Sequence, residues 1–478
     1  MQDQNKKSNY PYQRRPGDRF FRIPRAIPLR ILLPEGHQRS TIGISFWTVV
    51  YGFAAMIGVG AIFLMLPIAT RSGQWTPFVD SLFTSTSAVC VTGLTVVDTF
   101  DHFSLFGQIV ILILIQLGGL GFMTSATILL MAARRRIGLR QRILISESAG
   151  TSMGFGIYLN RNIVIFTLVI EVIGAAIFFT RFSGQFGWQA GLWKSIFQSV
   201  SAFNNCGLDL LGGFRSLTGY QNDYLVLLTT AGLIILGGIS YMVLENIVRS
   251  RGIHHASVDT KMVLLVTGIL LSLGTLIIFV TEFSNPATFG NMPLQIKILN
   301  AFFHSVTPRT AGFASVNVGA MGSYTLFIVM ILMFIGGASG STAGGIKVNT
   351  VGLITATIWN TIKGREFPGA FGKEFAAQQI YRALALLVLA LLVIATAVLI
   401  LSITDTFSFI SILFETFSAF GTVGLSTGIT PSLSIAGRLI IVIVMFIGRL
   451  GPLTLTLALG GLQKPTIYHY PRETVRLG

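Results

Sequence analysis

Four glycine-containing stretches recur along the chain with residue types suited to holding a dehydrated cation. They read SAVCVTGL at 87–94, SAFNNCGL at 201–208, VTPRTAGF at 306–313 and SAFGTVGL at 418–425, and their glycines are 114, 105 and 112 residues apart. Glycine adopts positive φ without steric cost, so successive carbonyls of a narrow loop can turn toward one axis. Carbonyl oxygens can then replace the hydration shell of an ion. The predicted ion-binding filter comprises Val91, Thr92, Gly93, Asn205, Cys206, Gly207, Thr310, Ala311, Gly312, Thr422, Val423 and Gly424.

A short apolar or mixed segment precedes each of these stretches. The four segments lie at 77–88, 192–203, 297–307 and 408–419 and are too short to cross about 30 Å of hydrocarbon. As helices that end at the loops, they would aim their partial negative charge at the place where a cation loses water. Glycine is abundant, at 52 residues, and close helix packing explains a single match equally well. The fourfold recurrence after a short helix favours the filter.

A second set of small residues repeats in the same register. The pairs Gly118-Gly119, Gly237-Gly238, Gly336-Gly337 and Gly448-Arg449 follow the loop glycines by 25, 30, 24 and 24 residues. Each repeat is therefore interpreted as a span, a re-entrant pore helix, a glycine loop and a second span. Non-helical backbone at membrane depth must be buried in protein or line a watery cavity, so the four loops are expected to converge.

The composition of the chain is typical of a membrane protein. The chain has 478 residues, of which 52% are hydrophobic and 11% charged, and its mean hydropathy is +0.72. Eight stretches are long enough to span, at 42–66, 104–133, 162–180, 224–248, 262–281, 324–361, 383–403 and 439–461. We predict an all-α membrane protein in which four parallel pseudo-repeats of helix, pore loop and helix surround one pore, with 8 transmembrane helices plus 4 re-entrant pore helices. The predicted domains are a basic tail at 1–41, repeats at 42–133, 162–248, 262–361 and 383–463, and a tail at 464–478.

The distribution of basic residues predicts the orientation. The net charge of +16 would suggest nucleic acid in a soluble protein, but 25 of the 34 Lys and Arg residues lie in alternate loops and the two tails. By the positive-inside rule both termini are cytoplasmic, and no nucleic-acid partner is expected. The long polar segment before the first span excludes a cleaved signal peptide, so that span is predicted to remain as an anchor.

The sixth hydrophobic stretch contains a run that cannot remain helical. Residues 336–347 read GGASGSTAGGIK, and an intramembrane loop is expected there. The run does not match a phosphate-binding loop, because Ile346 rather than Lys follows Gly345. Arg449 aligns with this loop in the fourth repeat, and a charge at that depth needs carbonyl or acidic partners. The predicted gate comprises Gly336, Gly337, Ser339, Gly340, Ser341, Thr342, Gly344, Gly345, Lys347 and Arg449, although Arg449 as a purely structural lock between helices stays open.

The remaining polar residues give no sign of catalysis. Arg309 would oppose a cation if it faced the path, so we predict that it points into the loop scaffold. Glu171, Asp80 and Glu415 fit intra-bundle pairing as well as ion coordination, and His304 fits packing. No acid, base, nucleophile or metal ligands converge, so an enzyme is not expected. Alternating-access carriers commonly use inverted repeats, whereas these repeats are parallel, which favours a channel-like path.

The chain resembles the Trk/Ktr/HKT superfamily of K⁺ transporters over roughly residues 42–463. The motifs that carry the likeness are the four glycine loops, above all TPRTAGF at 307–313, the Gly-Ser loop at 336–345 and GRLG at 448–451. With eight spans and no additional pair before the first repeat, the chain is similar to the KtrB type of subunit. The resemblance implies Na⁺-assisted K⁺ uptake in the bacterial plasma membrane, a homodimer, and a cytoplasmic RCK-type nucleotide-binding ring, similar to KtrA, as partner.

The resemblance also bears on which ion is carried. In related plant proteins a serine at the first filter glycine accompanies Na⁺ transport, and Gly93 is retained here. K⁺ at the filter is therefore expected, with Na⁺ as a second ion and no organic cofactor bound by this chain. A Na⁺-selective or weakly selective cation uniporter remains the alternative. Membrane potential supplies about 2.3 kcal/mol per charge per 100 mV, so uptake does not require Na⁺ coupling.

Overall fold

The computed structural model describes residues 41–121, 155–365 and 367–451. Residues 1–40 of the predicted N-terminal tail, the whole predicted C-terminal tail at 464–478, residues 122–133 of the first repeat and 452–463 of the fourth lie outside the described residues. The chain divides into two units, Met1–Thr41 and Ile42–Gly478, and the fold below is that of the second unit.

Helices form most of the described chain. In order they are α1 Thr41–Met65, α2 Phe78–Val89, α3 Thr99–His102, α4 Leu105–Leu120, α5 Phe155–Phe186, α6 Trp188–Phe203, α7 Tyr224–Ile239, α8 Tyr241–Arg249, α9 Val258–Glu282, α10 Leu294–Val306, α11 Ser323–Phe334, α12 Val348–Ile362, α13 Ala377–Thr404, α14 Phe409–Gly421 and α15 Ile435–Leu450. A two-residue antiparallel hairpin pairs β1 Gly369–Ala370 with β2 Lys373–Glu374. Single 3₁₀ turns lie at Pro67–Ala69, Thr218–Tyr220, Ile253–His255, Val318–Ala320 and Thr430–Ser432.

Three of these helices are long and apolar enough to cross a membrane. They are α5 from Arg161, α9 and α13, with 26, 25 and 28 residues, and α7 with α8 forms a fourth candidate if that bent pair is one span. Shorter apolar helices occupy Val49–Met65, Leu105–Leu120, Ser323–Phe334 and Phe409–Gly421. By length and composition the described residues thus hold three or four spans, and the layout with eight remains a prediction.

The fourth predicted span differs from its expected form. Residues 224–248 were expected to be continuous, but the chain bends by 80° between α7 and α8. Ser240 at the bend has a φ of 80°, which interrupts the helix, and its hydroxyl donates to the Gly340 carbonyl at 3.0 Å. This long-range hydrogen bond helps to compensate for the strained backbone, and sequence periodicity gives no indication of it.

Four short helices lie at the predicted pore-helix positions. These helices, α2, α6, α10 and α14, each contain a phenylalanine that is fully buried, namely Phe83, Phe197, Phe303 and Phe414. In three of the four short helices, the serine two residues after this phenylalanine donates a hydrogen bond to a carbonyl of the preceding long helix. The pairs are Ser85 with Ile57, Ser199 with Glu171 and Ser305 with Leu271, at 2.6–2.8 Å.

A glycine makes each of these serine contacts sterically possible. A Cβ added at Gly60, Gly174 or Gly274 would lie 2.4 Å from the hydroxyl oxygen of Ser85, Ser199 or Ser305. Real Cβ atoms essentially never approach a heavy atom closer than 3.0 Å. The glycines therefore let each long helix lie directly against its short helix, as small residues do in membrane bundles.

Candidate ion-binding ring and intramembrane loop

The four predicted filter loops meet in a closed ring. A Cβ added at Gly93 would lie 2.1 Å from the Cys206 carbonyl oxygen, and one at Gly207 would lie 2.5 Å from that of Ala311. The same construction places Gly312 at 2.2 Å from the Val423 oxygen and Gly424 at 2.2 Å from the Thr92 oxygen. Each loop thus contacts the next in chain order, and the fourth returns to the first. Only glycine fits at these positions.

The backbone of each loop alternates between positive and negative φ. The ring glycines Gly93, Gly207, Gly312 and Gly424 have φ of 88°, 80°, 78° and 94°. Two residues before them, Val91, Asn205, Thr310 and Thr422 have φ of 56°, 59°, 73° and 49°, whereas the residue between keeps a negative φ. Positive φ is uncommon for a side chain other than glycine and strained for a β-branched one. When the sign of φ alternates along the chain, successive carbonyls turn to the same side. The same alternation turns successive amides to one side in anion-binding nests.

The loop amides point away from the ring and toward the short helices. The amides of Thr92, Cys206 and Val423 donate to the carbonyls of Ser87, Ser201 and Ser418 at 2.7–2.8 Å, and that of Gly312 donates to Thr307 at 3.3 Å. In the described part of the chain no hydrogen bond reaches the carbonyls of Thr92, Cys206, Ala311 and Val423, and these residues are buried. Buried unpaired carbonyls are unfavourable unless another group, such as a cation, satisfies them.

The structure places the other predicted filter residues differently from one repeat to the next. The Asn205 amide group lies 3.4 Å from the Thr310 hydroxyl, which joins the second and third loops. Val91 packs in the apolar cluster around α2 and α4, and Thr422 lies against the intramembrane loop. The ring has fourfold backbone similarity, but its side chains follow no such symmetry.

Hydroxyl groups that brace the ring were not predicted from the sequence. The hydroxyls of Ser87 and Ser418 accept the amides of Gly93 and Gly424 at 3.0 Å, and the Thr307 hydroxyl donates to the Phe313 carbonyl at 2.7 Å. The signal was present, because the serine lies six residues before the glycine in three of the four stretches.

A buried polar network supports the second loop. The Asn204 side-chain amide, at the C-terminal end of α6, donates to the carboxylate of Glu171 at 2.9 Å and to the side-chain oxygen of Gln116 at 3.0 Å. Gln116 in turn donates to Glu171 at 3.2 Å. The intra-bundle alternative for Glu171 therefore holds in this structure. Asp80 likewise pairs with Arg438 at 2.5 Å, and Glu415 accepts a hydrogen bond from Thr430.

A cavity of about 580 Å³ opens on one side of the ring. All four ring glycines line it, together with the residues two positions further along, namely Thr95, Asp209, Ala314 and Ser426. Burial raises the pKa of Asp209 to about 6, so its carboxylate is mostly ionised at pH 7. The ring is therefore accessible from a wide, polar mouth that carries an anion.

The loop between α11 and α12, which the sequence predicts to be intramembrane, is held by backbone hydrogen bonds. Its ends are joined where the Gly336 amide donates to Ile346 at 2.8 Å, and the Ala338 amide donates to the Gly238 carbonyl at 2.8 Å. The Ser339 amide donates to the Asn349 side chain at 3.1 Å. The loop is thus ordered by contacts with α12 and with the end of α7.

This loop lies directly against the ring loops. A Cβ added at Gly344 would lie 2.1 Å from the Thr422 hydroxyl oxygen, and one at Gly345 would lie 3.3 Å from the Gly421 Cα. A Cβ at Gly336 would meet the Thr310 methyl group at 3.4 Å. The third and fourth ring loops therefore contact the segment predicted to be the gate.

Two basic side chains, one on α15 and one in the loop itself, bind carbonyls of the loop. Arg449 donates to the carbonyls of Thr342 and Gly118, and so links the loop to α4. Lys347 donates to the Ala343 carbonyl. A second cavity, of about 330 Å³, is lined by the loop residues Gly340, Ser341, Thr342, Ala343 and Lys347 and by Arg449. The predicted gate residues are all in this loop or bonded to it.

Arg309 donates to the Gly336 carbonyl at 3.2 Å and is buried, as expected for a scaffold residue. We expect Arg309→Ala to lower the free energy of unfolding by about 1–3 kcal/mol, because the Gly336 carbonyl loses its partner. The same change should not raise cation flux. Thermal unfolding and liposome flux measure the two effects, with Arg181→Ala as control, since the Arg181 side chain is 54% exposed in its pair with Asp223. Faster flux in a folded Arg309→Ala protein would contradict the scaffold role.

The apolar helices, the broken sixth stretch and the buried ring define a multi-pass membrane transport protein. A sequence profile of the TrkH family, described as a cation transport protein, matches residues 34–462. The chain belongs to this TrkH family, and it is accordingly a cation transporter and not an enzyme.

Individual relatives agree with this assignment. The chain is 41% identical to the Ktr system potassium uptake protein B of Bacillus subtilis over 89% of its own length and 95% of that protein. It is 39% identical to the potassium/sodium uptake protein NtpJ of Enterococcus hirae, with 89% and 96% covered. The crystal structure of the potassium transporter TrkH from Vibrio parahaemolyticus superposes with a TM-score of 0.70 at 20% identity, covering 91% of this chain and 87% of that one. That last likeness concerns the fold.

Proposed function

We propose that this chain is the ion-conducting subunit of a K⁺ uptake system. The observation that carries the proposal is the closed ring of buried carbonyls that no donor in the described residues satisfies. A dehydrated cation at the centre would supply the missing partner, and its hydration shell would be replaced by peptide oxygens. The four loops, each from a span, pore helix, loop and span, would form the walls of one pore.

The ligand type favours a monovalent ion. The ring offers neutral backbone oxygens, whereas sites for Ca²⁺ use several carboxylates. The relatives with 41% and 39% identity are named for potassium uptake and for potassium/sodium uptake. K⁺ is therefore the proposed cargo, and no organic cofactor takes part in conduction by this chain.

The side chains of the ring differ between repeats, and this difference supports a second candidate function. Val91, Asn205, Thr310 and Thr422 occupy equivalent positions with three different kinds of side chain, so fewer symmetric ion sites are available than in a homotetrameric channel. A Na⁺-selective or weakly selective cation uniporter is the second candidate, and assistance of K⁺ uptake by Na⁺ belongs to the same question.

We assign gating to the loop of residues 336–347 together with Arg449. The loop contacts the ring loops at Thr422 and Thr310, and Arg449 links it to Gly118. Its hydrogen bonds join backbone groups that could separate without unfolding a helix. As a movable constriction on the inner side of the ring, it would interrupt the path when closed.

The proposed setting is the bacterial plasma membrane with both termini in the cytoplasm. Exposed apolar residues such as Val172, Leu276 and Leu399 on the three long helices suit contact with lipid. The Bacillus subtilis relative is named as part of a Ktr system, which supports a further subunit. We propose a homodimer and a cytoplasmic RCK-type ring that resembles KtrA.

Flux into liposomes that contain the purified protein tests this function. With an inside-negative potential we expect uptake of K⁺ and Rb⁺ at least about tenfold faster than Na⁺, since carbonyl sites select by the number and field strength of their oxygens. Protein-free liposomes are the control. Equal rates for the three ions would favour the weakly selective uniporter, and passage of a neutral solute in place of cations would contradict the proposal.

A further inference from the structure

One of the four equivalent residues at the mouth of the ring carries a carboxylate. The residues two positions beyond the ring glycines are Thr95, Asp209, Ala314 and Ser426, and all four line the cavity of about 580 Å³. Only the second repeat places a charged side chain at this position. Asp209 is therefore an anion fixed beside a ring whose ligands are otherwise neutral.

The contacts of Asp209 position its carboxylate without an ion pair. One carboxylate oxygen accepts the Leu211 amide at 2.8 Å, and no basic side chain of the described residues forms an ion pair with Asp209. The nearby Lys194 donates instead to the Leu210 carbonyl and lies 3.8 Å from the centre of the Phe100 ring. The carboxylate is thus oriented by a backbone amide, and the positive charges of Lys194 and Arg215 act on it without direct contact.

The other charged side chains that line the cavity, Asp98 and Arg215, form hydrogen bonds with backbone groups. Asp98 accepts the amides of Phe100 and Asp101 with one oxygen and that of Phe214 with the other. The Arg215 guanidinium donates to the carbonyls of Gly212 and Leu211, so it lies over the same loop as Asp209. Arg215 also lines the cavity, and it opposes the field of Asp209 there.

We propose that Asp209 is a cation-capture residue, which raises the local concentration of K⁺ at the mouth and so sets the K⁺ concentration for half-maximal uptake. A cleft with an excess of one charge and low-dielectric walls focuses the field on arriving ions. The lining here carries two carboxylates, Asp98 and Asp209, and one guanidinium, Arg215. Asp209 would act before dehydration, without entering the ring. This inference rests on the proposed function and adds a positioning residue to it.

Asp209→Asn tests the charge with little change in structure, because the asparagine oxygen can still accept the Leu211 amide. We expect the K⁺ concentration for half-maximal uptake into liposomes to rise by about three- to tenfold at low ionic strength, with the maximal rate within about twofold of wild type. Added impermeant salt, which shortens the Debye length to about 3 Å at 1 M, should remove most of the difference. Arg215→Gln should shift the half-maximal concentration in the opposite direction.

Moving the carboxylate separates an electrostatic role from a structural one. Thr95 lines the same cavity at the equivalent position of the first repeat, and in the described structure its side chain makes no hydrogen bond. In the double variant Asp209→Asn, Thr95→Asp we expect the half-maximal concentration to return toward wild type. Failure of this rescue, or an unchanged half-maximal concentration in Asp209→Asn alone, would overturn the inference. Wild-type protein that conducts no cation would instead refute the proposed function itself.

Discussion

Replacing Gly312 by serine is expected to lower K⁺ uptake by about tenfold or more and to reduce discrimination against Na⁺, because coordination by the ring depends on carbonyl placement. The φ of 78° at Gly312 strains any side chain, and the added Cβ would lie 2.2 Å from the Val423 carbonyl oxygen. Relief of that contact must displace one of the oxygens proposed to coordinate the ion. Uptake of K⁺ and Na⁺ into liposomes measures both effects.

Gly268→Ser in α9 is the matched control for this change. A Cβ added at Gly268 meets nothing within 4 Å and the residue has no positive φ, so the same substitution should be tolerated there. Circular dichroism and size-exclusion chromatography establish that both variants fold. A Gly312→Ser protein as active and as selective as Gly268→Ser would show that the ring is not the selective element.

The second large effect is expected from shortening the intramembrane loop. Deletion of residues 339–342 removes the Thr342 carbonyl that Arg449 binds and the Gly340 carbonyl that Ser240 binds. If the loop interrupts the path, flux should rise by about three- to tenfold, as when an energetic barrier of about 1 kcal/mol is lost. Liposome flux without any partner protein is the measurement.

A deletion in the turn between β1 and β2 is the control, because it shortens the chain away from the proposed gate. Phe371 and Gly372 connect β1 with β2, Phe371 is exposed, and a Cβ at Gly372 would meet nothing within 4 Å. Removing these two should leave flux near wild type. Arg449→Gln, which retains a shorter donor, should raise flux in the same direction as the loop deletion. Unchanged or lost flux in a folded loop-deletion protein would count against the gate.

Local features of the fold could be predicted because they depend on short-range patterns. The short helices were placed within one to four residues of their observed starts, since hydrophobic runs of that length cannot span. The break after Phe334 followed from a glycine-rich run that cannot sustain a helix. In both cases composition over about ten residues decides the outcome.

Features that depend on distant partners could not be predicted in the same way. The bend at Ser240 is stabilised by a residue 100 positions away, and Arg449 binds a carbonyl 331 positions away. The network of Glu171, Gln116 and Asn204 joins three elements whose separate sequences are unremarkable. Sequence spacing identifies the glycines of the ring, but the closed order of their contacts requires coordinates.

The glycine-rich run at 336–347 occurs once in the sequence, although the loops that it contacts belong to a set of four. A homotetrameric channel closes by equivalent movements in four subunits, and intermediate openings with one, two or three subunits displaced are possible. If the loop is the gate, as proposed, a single displacement on one flank would open the path while the opposite wall stays still. Currents from one chain should therefore switch between two levels, and a regulator need act on one flank only.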